Sequence, residues 1–382
     1  MPVLSRITIE NFQCIEKVTV DLPDFGALVG ANDSGKSSFL RAIGMIGRAL
    51  GQSGENVLNG PDSLQEMARR DGSHRHTVVL EAHSRPDDKA LSYVLKVPPA
   101  APGLFEETVE LEGQPTAAFR HMKLTLGTAQ LGEGQFSPTI LYAYPARFAA
   151  HLNATRPLAS ASILRLSPTT ICADASHRSL NLDGSGLACV LAGFALTSRP
   201  TILAIENELR RLTEGRVASI ATPDNGQGSY SLWFVMASGE QIPARFVSTG
   251  LLYLLYVLAL VHSDNPPRII LIEEPENGVH PGRLKEMVAL LRRLTQPEGT
   301  RPACQILMAT HSPYLLDEFT PGEVLVFRRD GAGGWTTIRR PPLDLVKRGW
   351  GLHLGELWGS FGERGLIEGP TPAEAPTIQH DS

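Results

Sequence analysis

Four short stretches of this 382-residue sequence carry residues whose types and spacing could do chemistry. The first is Gly30-Ala31-Asn32-Asp33-Ser34-Gly35-Lys36-Ser37, followed by Ser38. It fits the GxxxxGK[ST] pattern in full, and that pattern is a phosphate cradle. Its glycines let backbone N–H groups surround phosphate oxygens, and a following helix adds its N-terminal N–H groups and dipole. Lys36 would reach the β- and γ-phosphates, and the Ser37 hydroxyl would hold Mg²⁺. The second stretch, Ile269-Ile-Leu-Ile-Glu273-Glu274-Pro275, sets two acids at the end of an apolar run. One carboxylate can assist Mg²⁺, and the next can orient or deprotonate water. Glu273 stands on the metal side, where Asp is usual, and its longer side chain would place a water between carboxylate and metal. The third, Ser248-Thr249-Gly250, opens an apolar helix. Two readings stay open for Ser248: an ordinary helix N-cap, or the start of a second phosphate-binding helix facing the γ-phosphate of an ATP held by another subunit. The fourth, Ala309-Thr310-His311-Ser312-Pro313, places a histidine at a strand's end. That histidine is either structural or within reach of the γ-phosphate and the attacking water.

These residues need strand edges and helix starts to hold them. Gly26 to Gly30 is a short apolar run ending in glycine, as a buried strand should before a phosphate loop. From Ser37 to Leu50 the apolar residues Phe39, Leu40, Ile43, Ile46 and Leu50 recur at helical spacing, and Gly51 stops them. Apolar strands are expected at Arg268 to Ile272 and Gln305 to Thr310, with helices over 249–262 and 282–294. In open α/β sheets ligands bind at the carboxyl edge of such strands. Ile7–Phe12 and Val18–Leu22 alternate like strands, and the alternating segments Thr77–Ala82, Leu91–Lys96, Glu107–Leu111 and Met122–Leu126 predict antiparallel sheet. Residues 51–76 read as a loop with a short helix, and 147–215 read as helical. Ser229–Val235 and Gln241-Ile242 predict two more strands, and Val324–Phe327 with Trp335–Ile338 a hairpin. The Pro-, Thr- and Ala-rich stretch 368–382 reads as disordered. No internal repeat is visible.

Bulk composition narrows the class. Hydrophobic content of 42% with 20% charged residues is a soluble globular balance. The net charge of -5 gives no global pull toward nucleic acid or acidic membranes, so DNA binding would need a local basic patch. The candidates are Arg69, Arg70, Arg75, Arg328, Arg329, Arg339 and Arg340. Cys14, Cys172, Cys189 and Cys304 form no CxxC pair, which points away from zinc and toward a reducing compartment. No signal peptide is expected at the N-terminus, and the longest apolar run, Leu251 to Val261, is too short for a membrane span. A cytoplasmic protein without a membrane segment is the expectation. No Asn-Lys-x-Asp segment is present, which argues against a GTPase.

Together the four stretches resemble the ABC-type ATPase heads of RecF, SMC and OLD-family proteins. The likeness is nearest to the stand-alone OLD-like AAA ATPases (the AAA_21 type) of bacterial defence loci. The residues that carry it are ITIENFQCIEKVTVDL, VGANDSGKSSFLRAIG, DGSGLACVLAGFAL around Gly184, FVSTGLLYLLYVLAL, LIEEPENGVHP and MATHSPYLLDEF. The sequence departs from the pattern at Gln13, where Arg is frequent, and at Thr249, where an acid is common. The glutamine of the Q-loop has no assigned position.

The resemblance implies an α/β P-loop NTPase with a mixed sheet core, an antiparallel β lobe and an inserted helical lobe. One domain over 1–367 is expected: 1–145 with the phosphate loop and β lobe, 146–245 the insertion, 246–340 the signature, acid and histidine core, and 341–367 an extension. The implied cofactors are ATP and Mg²⁺. Gly30, Ala31, Asn32, Asp33, Ser34, Gly35, Lys36, Ser37 and Ser38 bind nucleotide, and Ser37 and Glu273 face the metal. Glu274 is the implied catalytic base and His311 the switch histidine. Ser248 and Gly250 act in trans across a homodimer or higher even oligomer, with Asn277 to His280 at its interface. With no TOPRIM pattern after His311, nuclease activity is assigned to a separately encoded effector rather than to this chain. The expected setting is bacterial anti-phage defence or DNA repair, with DNA a possible further partner. The alternative is an ATP-gated DNA clamp that hydrolyses little; a transporter subunit is disfavoured.

Overall fold

The computed structural model describes residues 3–51, 63–64, 66–71, 74–99, 105–120, 123–133, 141, 145–177, 179–277, 279–329, 334–347 and 352–370. The chain forms two compact units. The first comprises Met1–Ile163, Pro267–Leu271 and Cys304–Ser382, and the second Leu164–Pro266 and Ile272–Ala303.

In the first unit, β1 (Arg6–Phe12), β2 (Ile15–Asp21), β3 (Phe25–Val29) and α1 (Lys36–Leu50) open the chain, and β4 (Arg70–Asp71) and β5 (His74–Arg75) pair as a small ribbon. A meander follows: β6 (Val78–Ser84), β7 (Leu91–Val97), β8 (Glu106–Leu111), β9 (Ala117–Arg120), β10 (Lys123–Leu126) and β11 (Ala129–Glu133). These strands make one eight-stranded antiparallel sheet in the order β11-β10-β9-β8-β7-β6-β1-β2. Strict alternation drives it. In β6, Val78, Leu80, Ala82 and Ser84 are buried while Val79, Glu81 and His83 are half-exposed, as a sheet with one covered face requires. Inside this sheet the buried Tyr93 hydroxyl donates to Glu107 Oε1 at 2.9 Å. Burial, with the carboxyl beside it, pushes the Tyr93 pKa well up. Strands β9 and β11 were not expected; each is short, and AQLGE lacks a clean apolar alternation.

The mixed sheet uses β3 with β12 (Ser162–Leu164), which follows α2 (Ala149–Ala159). Later in the chain come β16 (Ile269–Glu273), β17 (Gln305–Ala309), β18 (Val324–Arg329) and β19 (Thr336–Arg339). The order is β12-β16-β17-β3-β18-β19. Strand β3 pairs in parallel with both β17 and β18, and β18–β19 is the expected hairpin, antiparallel with Val326 opposite Arg339. Strand β16 enters this unit through Ile269–Leu271; its last residues, Ile272 and Glu273, belong to the second unit. Helix α1 packs on β17 of the mixed sheet and on β1 and β6 of the antiparallel one. Its residues Phe39, Leu40, Ile43, Ile46 and Leu50 are buried, and the Phe39 ring meets Phe327 edge-on at 5.3 Å.

The second unit holds α3 (Pro168–Ile171), α4 (Leu187–Thr197), α5 (Arg199–Leu212), a sheet β13-β14-β15 (Val217–Ala221, Trp233–Met236, Gln241–Pro243), α6 (Thr249–Val261) and α7 (Pro281–Arg293). Helix α6 is buried without a break from Leu254 to Val261. The strand expected from Ser229 starts only at Trp233, because Tyr230 bridges instead to Ala175 and Asp224. The expected insertion, 146–245, has other bounds than this unit, which begins at Leu164 and takes in α6 and Ile272–Ala303. Most of the expected 51–76 loop and the tail from 371 lie outside the described residues. Among the described residues no helix is long and apolar enough to cross a membrane.

Candidate nucleotide site

The phosphate loop runs from the end of β3 into α1. Helix α1 starts at Gly35, whose φ of 104° is left-handed, and its N-terminus has neither a side-chain cap nor an acid in its first turn. Helix N-termini leave their first N–H groups without intrahelical partners, and a side-chain oxygen commonly takes one. Ser248 does so for α6, and the His280 ring Nδ1 takes the Gly282 N–H at α7; at α1 no described side chain does. Glycine is required by space as well. A Cβ on Gly35 would lie 2.4 Å from Thr336 Oγ1, and one on Gly30 would lie 2.2 Å from the Phe327 carbonyl oxygen. Lys36 is buried, and its Nζ donates to the carbonyls of Gly30 and Ala31, each at 2.9 Å. Ser34 is buried beneath the loop, Ser38 Oγ accepts from Cys14 Sγ at 3.4 Å, and Ala31, Asn32, Asp33 and Ser37 are exposed. Asp33 adopts a left-handed φ of 61°.

His311 lies at the same edge of the sheet. Ala309 pairs with Leu28 in the parallel β17–β3 ladder, and Thr310 N–H donates to the Leu28 carbonyl at 3.0 Å. His311 therefore leaves β17 beside the point where Gly30 leaves β3. The next residue, Ser312, accepts from Leu315 N–H and caps α8 (Pro313–Leu316).

The two acids and the signature belong to the second unit. Glu273 ends β16, and its Oε1 is buried with no hydrogen-bond partner among the described residues. A buried unpaired carboxylate oxygen is costly unless a ligand or ion completes it. Glu274 is exposed, with a left-handed φ of 49°. Asn277 closes a turn on it: its N–H donates to the Glu274 carbonyl at 2.9 Å, and its Nδ2 to Glu274 Oε2 at 2.5 Å. Both acids line a cavity of ≈ 270 Å³ with Arg165, Tyr253 and Asn277. Ser248 Oγ accepts from Leu251 N–H at 3.4 Å, so the capping role holds. Ser248 and Gly250 also border a second cavity of ≈ 220 Å³, with Arg216, His280 and Arg283. The structure thus brings the phosphate loop and His311 together in one unit. In the other it brings the signature residues to His280, and Glu273 to Glu274.

Two contributors had no sequence signal. Thr336, buried on β19, donates to the Ser34 carbonyl at 3.0 Å and props the loop from 302 residues away. Glu363 accepts from Ala31 N–H at 2.8 Å. Of the arginines weighed for DNA, several are held by the protein. Arg69 pairs with Glu16 at 2.9 Å and stacks on Trp335 at 3.8 Å. Arg70 pairs with Glu66, Arg329 donates to the Gly334 carbonyl, and Arg340 donates to the Gly322 and Asp21 carbonyls. Arg328 and Arg339 are exposed, and the Arg75 side chain lies outside the described residues.

Two family models match parts of the chain. A family model described as "AAA domain, putative AbiEii toxin, Type IV TA system" matches residues 136–317, which include the signature, the acids and His311. A second, "AAA ATPase domain", matches residues 3–59, which include the phosphate loop. Both matching models describe AAA domains, and the α/β fold with its mixed and antiparallel sheets is of the P-loop ABC type. In particular, the fold is that of an SMC head. The crystal structure of the SmcHead bound to the C-winged helix domain of ScpA aligns with a TM-score of 0.60 at 12% identity, covering 91% of this chain and 100% of that one. The Smc head domain with an extended coiled coil bound to the C-terminal domain of ScpA, derived from Pyrococcus furiosus, aligns with a TM-score of 0.52 at 12% identity, covering 91% and 98%. No curated protein sequence matches the chain.

Proposed function

We propose that this chain binds ATP with Mg²⁺ at Gly30–Ser38, dimerises around it and hydrolyses it. The cycle regulates a separately encoded effector, a nuclease, in bacterial anti-phage defence or DNA repair. The observation that carries the reading is the start of α1: an uncapped N-terminus entered through a left-handed glycine, with the buried Lys36 ammonium held at the loop. Backbone N–H groups and a fixed cation there suit a polyphosphate.

Each residue then has a role. Lys36 offsets phosphate charge, the exposed Ser37 hydroxyl suits a hard cation such as Mg²⁺, and Glu273, whose Oε1 has no hydrogen-bond partner among the described residues, is assigned the metal-side carboxylate. When bound, that cation would neutralise charge on the β- and γ-oxygens. Glu274 takes the proton of the attacking water, with Asn277 fixing its carboxylate. His311, at the phosphate-loop edge, orients that water. Ser248 and Gly250 of one copy meet the γ-phosphate held by the other; their place beside His280, Arg216 and Arg283 supports an anion-facing surface. The ScpA complexes of the SMC heads support partner binding as a habit of this fold.

The test is turnover and oligomeric state for wild type and Glu274→Gln. The substitution should slow hydrolysis at least about a hundred-fold while ATP still binds and the dimer accumulates. Equal rates would remove the hydrolytic reading and leave a nucleotide-gated clamp. A monomer hydrolysing ATP at full rate would remove the dimer.

A further inference from the structure

One contact is unexplained by the site as built. The carboxylate of Glu363 sits on the phosphate loop and accepts the Ala31 N–H at 2.8 Å. Glu363 belongs to α9 (Leu354–Ile367), and the helix is broken just before it: Gly362 has φ 59° and ψ −148°, a conformation open to glycine and costly to other residues. A Cβ at Gly362 would meet nothing within 4 Å, so the break is not forced by packing around it.

The part of α9 before the break is anchored. Gly355 N–H donates to Asp317 Oδ1 at 2.7 Å, and a Cβ on Gly355 would fall 2.2 Å from the Pro313 carbonyl oxygen. That turn therefore lies flat on α8, whose first residue follows His311 by two positions. Leu354 and Leu357 are buried, and α9 also packs on β18, the parallel neighbour of β3. One end of the helix is fixed to the segment after His311; beyond the glycine break, Gly365 and Leu366 are buried, and Glu363 holds its carboxylate against the phosphate loop.

Two anions do not share such a loop without repulsion. We propose that Glu363 is an internal competitor of the ATP phosphates: its carboxylate holds the Ala31 N–H until nucleotide displaces it by a swing at Gly362. The helix end would then report loop occupancy at the surface of the chain, while residues 354–361 stay in place. This rests on the reading of Gly30–Ser38 as the ATP site.

The test measures equilibrium binding of a fluorescent ATP analogue with Mg²⁺ to wild type, Glu363→Ala and Glu363→Gln. Hydrogen exchange of residues 354–367 in the wild type accompanies it. Removing a charge-assisted contact that nucleotide must break should tighten binding about ten-fold in Glu363→Ala. Glu363→Gln, which keeps an acceptor without the charge, should fall between. Saturating nucleotide should speed exchange in 363–367 and leave 354–361 unchanged. Unchanged or weaker binding in both variants, or exchange in 363–367 insensitive to nucleotide, would overturn the latch while the ATP site stands. A folded wild type that binds no nucleotide would sink the ATP reading and the latch with it. Should Glu363→Ala fail to fold, Glu363→Gln and the wild-type exchange decide.

Discussion

Replacing Glu208 by Ala tests how the helices of the second unit are held. Glu208 lies on α5 and accepts two bonds from Arg293 Nη1, at 2.9 and 2.8 Å. It also meets His262 Nε2 at 3.3 Å. His262 ends α6, the signature helix, and Arg293 ends α7, the helix after the acids. One carboxylate thus ties two helix C-termini to a third helix. The hydrogen bonds from His262 and Arg293 hold its pKa down, from 4.5 to about 2. Taken at face value, that difference corresponds to about 3 kcal/mol. Glu208 is 23% exposed and Arg293 38%, so solvent screening reduces the expected value to about 2 kcal/mol. The sign follows from the direction of the shift. A carboxylate with a lowered folded pKa stabilises fully above its unfolded pKa of 4.5, and the contribution is lost as pH falls from 4.5 toward 2. Urea unfolding of wild type and Glu208→Ala should therefore differ by about 2 kcal/mol at pH 7, with more than half of the difference gone by about pH 3. A destabilisation under about 0.5 kcal/mol at pH 7, the ordinary range for surface substitutions, would refute the reasoning. So would one of equal size at both pH values.

Two further substitutions probe the positioning of the site. A Cβ added at Gly47, on α1, would lie 2.1 Å from the Ala161 carbonyl oxygen, so Gly47→Ala must push the helix off that backbone. Thermal or urea unfolding should show a loss of about 2 kcal/mol, and a wild-type midpoint would contradict the close approach. Ser248→Arg removes the α6 cap, worth about 1 kcal/mol, and blocks the surface beside Gly250. Turnover should fall to background while labelled-ATP affinity at low protein concentration stays within about two-fold, under 0.5 kcal/mol. Retained turnover would end the role in trans.

The candidate site could be drawn from sequence because its motifs are local. Gly30 to Ser37, and Glu273 with Glu274, each sit within eight residues, and strand–loop–helix context could be read from the apolar runs beside them. The long alternating strands β6, β7 and β8 were legible for the same reason. Strands β9, β11 and β13 were not: each has four or five residues, too few for a clear alternation, and in β13 Val217 alone is buried. Of the arginines weighed for DNA, Arg69 and Arg340 find their partners 53 and 319 residues away, pairings that no local pattern shows. Ser248 could be read two ways, and its hydroxyl turned out to cap α6. The division of the chain was hidden because β16 is one uninterrupted apolar run whose residues fall in two units. Local pattern specifies a strand; it does not say which body completes it.

Strand β3 carries a consequence for how the protein is made. It lies between β17 and β18, its two parallel neighbours, and both come from beyond residue 304. Gln305, fully buried, takes the Leu4 N–H and donates to the Leu4 and Pro23 carbonyls, which secures the base of β3 from the far end of the sequence. A nascent chain that has emerged only through α1 already contains every residue of the phosphate loop, but none of the flanking strands that hold it. Contacts so distant in sequence form late. Nucleotide binding should therefore arise only after β18 has left the ribosome, and a chain made only through α1 should hold no ATP.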